Sequence, residues 1–320
     1  MRAELPAGVP RACFGPKLEA AIAALTVRDR LSRRQIIELM EELFGCPIAV
    51  GTIDAILSRT AATLEPVYDE LLERTHAAGA LNVDETGWYL GGEPRTLWGA
   101  FSKQTAVLRI APDRGKQHLH GLIGDAFAGV VGSDRFSAYN SLDPERRQVC
   151  WSHLRRDFTF HADLGLGAQE TFGLDGLEVT WNVFHAWRQF QQDGDRAALQ
   201  RRVEQIKTQM RPLLEWGSTG KRQRHVHALA KNLLKLWPAL WTFADVPDVE
   251  PTNNAAERGL RAAVIYRKLS FGSRSQGGER TIERLLSVDQ TCRLQRRSMY
   301  GYLAGVLAAK ARGDPIASLA

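Results

Sequence analysis

Apolar positions recur at helical spacing through KLEAAIAALTVRDRLSRRQIIELMEELFG, so residues 17–45 read as helix. Ser32 is an N-cap for the second part of that stretch and Gly45 a stop. A second short helix begins near Val50 or Gly51 and carries GTIDAILSRT. A helix, a tight turn and another helix have the spacing of a helix-turn-helix, whose second helix can enter a DNA groove. Its polar readers would be Thr52, Ser58, Arg59 and Thr60, and plain helical packing explains the same pattern as well. A helix over 61–78 leads out of this region.

From residue 80 the texture changes to strands. ALNVDETGWYL and TLWGAFSK flank the glycine-rich turn GGEPR as a hairpin, and TAVLRIA supplies a third strand. DRGKQHLHGLIG returns to helix, AGVVGSD is a short apolar strand ending on an acid, and RRQVCW is another strand. Three antiparallel strands, a helix and further strands make an α+β sheet. Residues 152–245 are helical again, with breaks at GLG (165–167), GSTG (217–220) and WPALW (237–241). Trp181, Trp187, Trp216, Trp237 and Trp241 recur among aliphatics there and read mostly as core, although an exposed one could wedge into DNA. Helices around 278–295 and 298–311 follow.

Composition narrows the class. The 320 residues, 44% hydrophobic and 24% charged, suit two modest domains or one with a large insertion. No run of about 18 apolar residues occurs, so no membrane partner is expected. MRAELPAGVPRACFG lacks the layout of a signal peptide. Cys13, Cys46, Cys150 and Cys292 lie far apart and read as reduced thiols of a cytoplasmic chain. A nucleotide-cradling P-loop is excluded because GxxxxGK[ST] is absent. The net charge of +6 is unevenly spread: residues 1–80 hold 9 basic and 11 acidic side chains, whereas residues 253–320 hold 12 and 5. A polyanion partner for the C-terminal half follows, with simple solubility as the alternative.

Three acids carry the candidate chemistry. Asp84 in LNVDETGW and Asp134 in VVGSDRFSAY each follow apolar strand residues where the strand runs out. Neighbouring strands lie about 4.8 Å apart, so the carboxylates would meet at one edge if their strands are adjacent. Like charges that close need neutralising cations, and Mg²⁺ prefers such oxygen ligands. Glu257, in PTNNAAERGLRAAVIYRK, is the third acid for a two-metal site and precedes Arg258, Arg261, Arg267 and Lys268. Each has an ordinary alternative: Asp84 capping a turn, Asp134 capping RFSAYNSL, and Glu257 closing a capping box on Asn254. Glu85 and Asp125 are rival acids, and Glu85 faces the opposite way if its strand continues. Cys150 and His153 make half of a zinc site, with packing and hydrogen bonding the alternative. Arg155, Arg156 and the basic loop GKRQRHVH, with Lys221, Arg222 and Arg224, are further phosphate contacts or solvated charges.

VDETGW, SDRFSAYN, CWSHLRRDF and NNAAERGLR followed by YRK, in that order, resemble the bacterial insertion-sequence-sixty-six family of transposases over roughly residues 14–310. The resemblance implies a DDE transposase. It implies a ribonuclease H-like catalytic domain in two parts, residues 80–164 and 251–320, split by a helical insertion at 165–250. The helical region 1–79 would precede it. It further implies that Asp84, Asp134 and Glu257 hold two Mg²⁺ or Mn²⁺ ions. Double-stranded DNA, both element ends and target, would be cut and joined through a 3′-OH. Arg258, Arg261, Arg267 and Lys268 would grip the backbone, and the chain would act as at least a dimer on nucleoid DNA, with accessory proteins of the same element as candidate partners. A nuclease without strand transfer and a non-catalytic DNA-binding protein are the alternatives. Larger members carry an N-terminal coiled coil and a cysteine-rich region; here FGPK is reached by residue 14 with only Cys13 nearby, so no upstream zinc site is expected.

Overall fold

The computed structural model describes residues 14–165, 167–219 and 224–319. Four helices come first: α1 (Pro16–Val27), α2 (Arg33–Phe44), α3 (Val50–Thr63) and α4 (Glu65–His76). Then follow β1 (Ala80–Leu90), β2 (Glu93–Phe101), β3 (Ala106–Ala111), α5 (Lys116–Ile123), β4 (Val130–Ser133) and β5 (Arg147–Val149). A helical stretch holds α6 (Trp151–Asp163), α7 (Ala168–Asp193), α8 (Arg196–Thr219), α9 (Arg224–Lys235) and α10 (Thr242–Asp245). The last helices are α11 (Asn254–Ser270), α12 (Gln276–Leu294) and α13 (Met299–Arg312).

The fold is α+β, with the strands in the order β3-β2-β1-β4-β5. β2 and β3 are antiparallel, while β4 runs parallel to β1 and β5 parallel to β4. The chain divides into two compact units, one of segments up to Ala78, Asp84–Phe127 and from Ala256 onward, the other of Gly79–Val83 and Ala128–Ala255. β1 therefore gives its first residues to the second unit and the rest to the first.

In the first unit residues 17–45 hold two helices, the second capped at Ser32 as expected, with Arg30 at a left-handed φ of 63° between α1 and α2. Ser32 Oγ accepts from Gln35 N at 3.2 Å while Gln35 Oε1 accepts from Ser32 N at 2.9 Å, a complete capping box. Gly45 at φ 57° ends α2. α1 packs on α3 and α13, and α12 on α3. Ile22, Ile53, Ile56, Leu285 and Leu303 are buried. This packing answers part of the helix-turn-helix reading: Thr60 is buried and Arg59 pairs with Glu19 at 2.6 Å. Ser58 stays exposed and Thr52 half-buried.

The hairpin turns at Gly91 and Gly92, both at positive φ (59° and 99°), the geometry that a two-residue connection between twisted strands requires. β3 lies at the sheet edge, where unpaired N–H groups are a liability. α12 satisfies them with side chains four residues apart. Thr291 Oγ1 accepts from Ala106 N (3.0 Å), Ser287 Oγ from Leu108 N (2.9 Å) and Glu283 Oε1 from Ile110 N (2.5 Å). Burial pushes the Glu283 carboxyl up, and the Ile110 N–H opposes that shift.

The second unit is organised by a core that includes Trp151, Phe158, Phe172, Val179, Met210, Leu233 and Phe243. α6 and α7 approach closely: a Cβ on Gly173 would meet Ala162 N at 2.2 Å, and one on Gly176 would meet Phe158 Cδ1 at 2.1 Å. The helical stretch differs from expectation at three points. α7 and α8 separate at Gly194 (φ 70°), in the DGD turn, which was not anticipated. α8 ends at Thr219, inside the expected break at 217–220, and Arg224–His227, expected in a basic loop, open α9. Trp241 is buried, but Trp181 and Trp216 are 61% and 49% exposed, so these two are not core. No helix among the described residues is long and apolar enough to cross a membrane. Cys46, Cys150 and Cys292 are free thiols, and Cys13 lies outside the described residues.

Candidate active site

Asp84 sits in mid-strand, not where the strand runs out. The parallel ladder of β1 with β4 ends at Asn82 opposite Gly132, yet β1 continues to Leu90 because β2 pairs along its other side. Asp84 is half-buried, and its Oδ1 accepts from Glu85 N at 3.0 Å. The rival Glu85 has a buried carboxylate ion-paired with Arg114. Asp125 is exposed in the loop after α5.

Asp134 directly follows β4, as expected, and is half-buried. Its Oδ1 accepts from Phe136 N at 2.8 Å, an Asx turn that orients the carboxylate and leads into a 3₁₀ turn at Ser137–Ser141. The residue therefore caps a turn, and not a helix over RFSAYNSL. Beneath it lies Arg147 of β5, 0% exposed, whose Nη2 donates to the Asp134 backbone oxygen at 3.2 Å. The Arg147 guanidinium carbon lies 5.9 Å from the Tyr139 ring centre. Burial pushes the Arg147 pKa down to about 10, against the opposing pull of Tyr139 and Asp134.

Glu257 is exposed in the first turn of α11. The helix starts at Asn254, so the cap position falls on Asn253 and Glu257 is the fourth helical residue. At 100° per residue, Glu257, Arg261 and Lys268 share one face, all three exposed, with exposed Arg258 beside it. Arg267 differs from these cations: it is half-buried, and its Nη1 donates to Thr86 Oγ1 at 3.3 Å and to the Gly87 carbonyl, anchoring α11 to β1. Gly259 seats the same helix on β2, over the Phe101 ring.

Arg155 and Arg156 are exposed on α6, and Arg224 is exposed at the start of α9. Lys221 and Arg222 lie outside the described residues. Cys150 is buried immediately before α6, and its Sγ accepts from Asn253 N at 3.2 Å. His153 is half-buried in the first turn of α6. Asp84 and Glu257 belong to the first unit, whereas Asp134, Cys150 and His153 belong to the second. Among the described residues, no group of three or more His, Cys, Asp or Glu stands together as a formed metal-holding cluster.

Sequence reasoning missed Arg147, Tyr139 and Asn253. An arginine inside the apolar strand reading RRQVCW was the signal for the first. For Asn253 the signal was the NN pair before the acidic helix, of which Asn254 alone was a candidate.

A mixed five-stranded sheet with helices before and after it makes the chain an α+β protein. Comparison gives the family. The model of the Transposase IS66 family matches residues 11–281, and the chain belongs to that family. It is also similar to three uncharacterized proteins of Sinorhizobium fredii (strain NBRC 101917 / NGR234). Identity to y4hP is 24% over 93% of this chain and 60% of that protein. For y4qI it is 25% over 83% and 51%, and for y4jD 27% over 82% and 56%. The chain thus spans a little over half the length of these relatives.

Proposed function

We propose that the chain is a DNA transposase that cuts phosphodiester bonds at the ends of its element and joins the freed 3′-OH to target DNA. The carrying observation is the register of β1 against β4. Pairing runs to Asn82 opposite Gly132, and Asp84 and Asp134 each stand two residues further along. In the order β3-β2-β1-β4-β5 the sequence of strands reverses at β1, with β4 running parallel beside it, and both acids follow the last pair of that parallel ladder. Glu257, on α11, is the third acid of the reading.

The donor set is three carboxylates with neither thiol nor imidazole, which suits a hard divalent cation such as Mg²⁺ or Mn²⁺. Such ions, when bound, lower the pKa of water or of a 3′-OH and offset charge on the leaving oxygen. The chain's own residues do the rest. The Asx turn at Phe136 fixes the direction of the Asp134 carboxylate. Arg258, Arg261 and Lys268 present cations to backbone phosphate beside Glu257, which positions DNA without reading its bases. Arg155, Arg156 and Arg224, exposed on the second unit, are further phosphate contacts in this reading. The partners are double-stranded DNA and a second copy of the chain, since two element ends must be held together.

The test is incubation with DNA carrying the element's flanking ends and Mg²⁺ or Mn²⁺, scoring nicked and joined strands. Asp84→Asn, Asp134→Asn and Glu257→Gln should each abolish both products while DNA binding persists. A single variant of full activity removes that acid from the site. Nicks without joined strands turn the reading to a nuclease, and DNA binding indifferent to metal with no cleavage turns it to a binding protein.

A further inference from the structure

We propose that Asn253 is a positioning residue for the carboxylate site: it holds the Val83 carbonyl, and with it the strand that presents Asp84, against the chain leading into the Glu257 helix. The inference rests on the carboxylate reading above.

Where the β1–β4 ladder ends at Asn82, the next carbonyl on β1 takes its hydrogen bonds from side chains. Val83 O accepts from Asn253 Nδ2 at 2.8 Å and, more weakly, from Tyr139 Oη at 3.4 Å. One peptide oxygen, with its two lone pairs, thereby ties three stretches of chain together. Val83 is one residue before Asp84, Tyr139 is five after Asp134, and Asn253 is four before Glu257. The stretch bearing Asn253 is itself pinned to the start of α6, because Trp151 N donates to Pro251 O at 2.9 Å and Asn253 N donates to Cys150 Sγ at 3.2 Å.

The side chain is an expensive choice for that place. Asn253 is 1% exposed, and its Oδ1 has no hydrogen-bond partner among the described residues. An orphaned buried amide oxygen costs free energy that an apolar residue of similar volume would not incur. Flipping the amide does not help, since it would set Oδ1 against the Val83 oxygen. What the asparagine supplies is a directed N–H, and outer-shell donors of that kind orient the groups that hold a metal.

The experiment measures Mn²⁺ binding to the full chain by electron paramagnetic resonance, with DNA binding in EDTA and cooperative unfolding followed in parallel. The wild type should bind Mn²⁺ and Asp84→Asn should lose it. Asn253→Ala should bind roughly 10–100-fold more weakly, the range for removing an outer-shell partner, while DNA affinity stays within about twofold. Tyr139→Phe, which removes the longer bond, should weaken Mn²⁺ binding less than Asn253→Ala does. A merely structural role would move DNA and metal binding together. A folded Asn253→Ala chain with wild-type Mn²⁺ affinity overturns the inference. Should that variant fail to fold, an unchanged affinity in Tyr139→Phe overturns it. Loss in Asp84→Asn with no change in the other variants removes this inference alone, whereas no Mn²⁺ binding by the wild type removes the carboxylate reading with it.

Discussion

Gly259 gives the sharpest test of how α11 is seated, and the outcome depends on two opposed effects. A methyl group at this position would lie 2.2 Å from Phe101 Cε1, 2.5 Å from Cζ and 2.7 Å from Cδ1. Phe101 is 2% exposed and cannot swing into solvent. Nor can it retreat, because Gly99 faces it from β2 itself, where a Cβ would stand 2.6 Å from Phe101 Cε2. Forcing a methyl into a packed site costs about 1–3 kcal/mol. Alanine in a helix interior returns roughly 1 kcal/mol relative to glycine. With contacts this short the steric cost belongs at its upper end, so Gly259→Ala should destabilise the chain by about 1–2 kcal/mol. Urea unfolding should show a lower midpoint at unchanged slope. Phe101→Leu, destabilising alone, should make the methyl tolerable, so the double variant should fall short of the summed losses by at least about 0.5 kcal/mol. If Gly259→Ala is as stable as the wild type or more so, helix propensity has won and the close seating of α11 on β2 is refuted.

The edge of the sheet makes a second prediction. Ser287→Ala strands the Leu108 N–H and should cost about 1–3 kcal/mol, with faster hydrogen exchange at Leu108; unchanged exchange would count against the α12 clasp. A third concerns pH. Burial holds the His161 pKa below its ordinary 6.5, opposed by Asp157 and reinforced by His225. Its Nδ1 also lies 2.9 Å from Gln169 Nε2, an amide that can only donate. The unfolded chain then binds a proton that the folded chain refuses, so this residue's contribution to stability is intact above the ordinary pKa and falls as pH drops through it. His161→Gln should flatten that part of the stability–pH curve, and a curve of unchanged shape would exclude the residue. A fourth separates the cations of α11. Arg258→Glu and Arg261→Glu should each lower the salt slope of DNA binding by roughly 1, whereas Arg267→Ala should lower stability by about 1–2 kcal/mol through its lost bonds to Thr86 and Gly87. A full salt slope in both charge-reversal variants would take them off the DNA surface.

What was legible in the sequence was local. Ser32 with Gln35, Gly45, the Gly91–Gly92 turn and the start of α3 near Val50 all act within a few residues, and each functions in the fold as its chemistry dictates. The α+β class followed from runs of alternating and helical period. Long-range partners had no such signature. Nothing near Arg267 announces that it bonds Thr86 and Gly87, and nothing near Thr60 announces that the core covers it. The place of Asp84 along β1 was misread for the same reason. ALNVDETGWYL was read as one strand of the hairpin, as found, but Asp84 was placed where a strand runs out although pairing with β2 carries the strand past it to Leu90. The candidate acids were found by residue type and order, but the polar groups that support them, Arg147, Tyr139 and Asn253, are ordinary letters in sequence and become unusual only when buried.

That burial is itself an argument. Among the described residues, Arg147 leaves Nε and Nη1 without partners, and Asn253 leaves Oδ1 without one. A guanidinium enclosed with incomplete pairing and an amide with an orphaned oxygen are both costly, and apolar replacements of similar volume are often neutral or stabilising at such places. Chains tend to break the rules of burial where geometry matters more than stability. Here Arg147 holds the backbone of Asp134 and Asn253 holds the carbonyl before Asp84. Both departures therefore fall on peptide oxygens at or next to residues that the proposed chemistry needs held still.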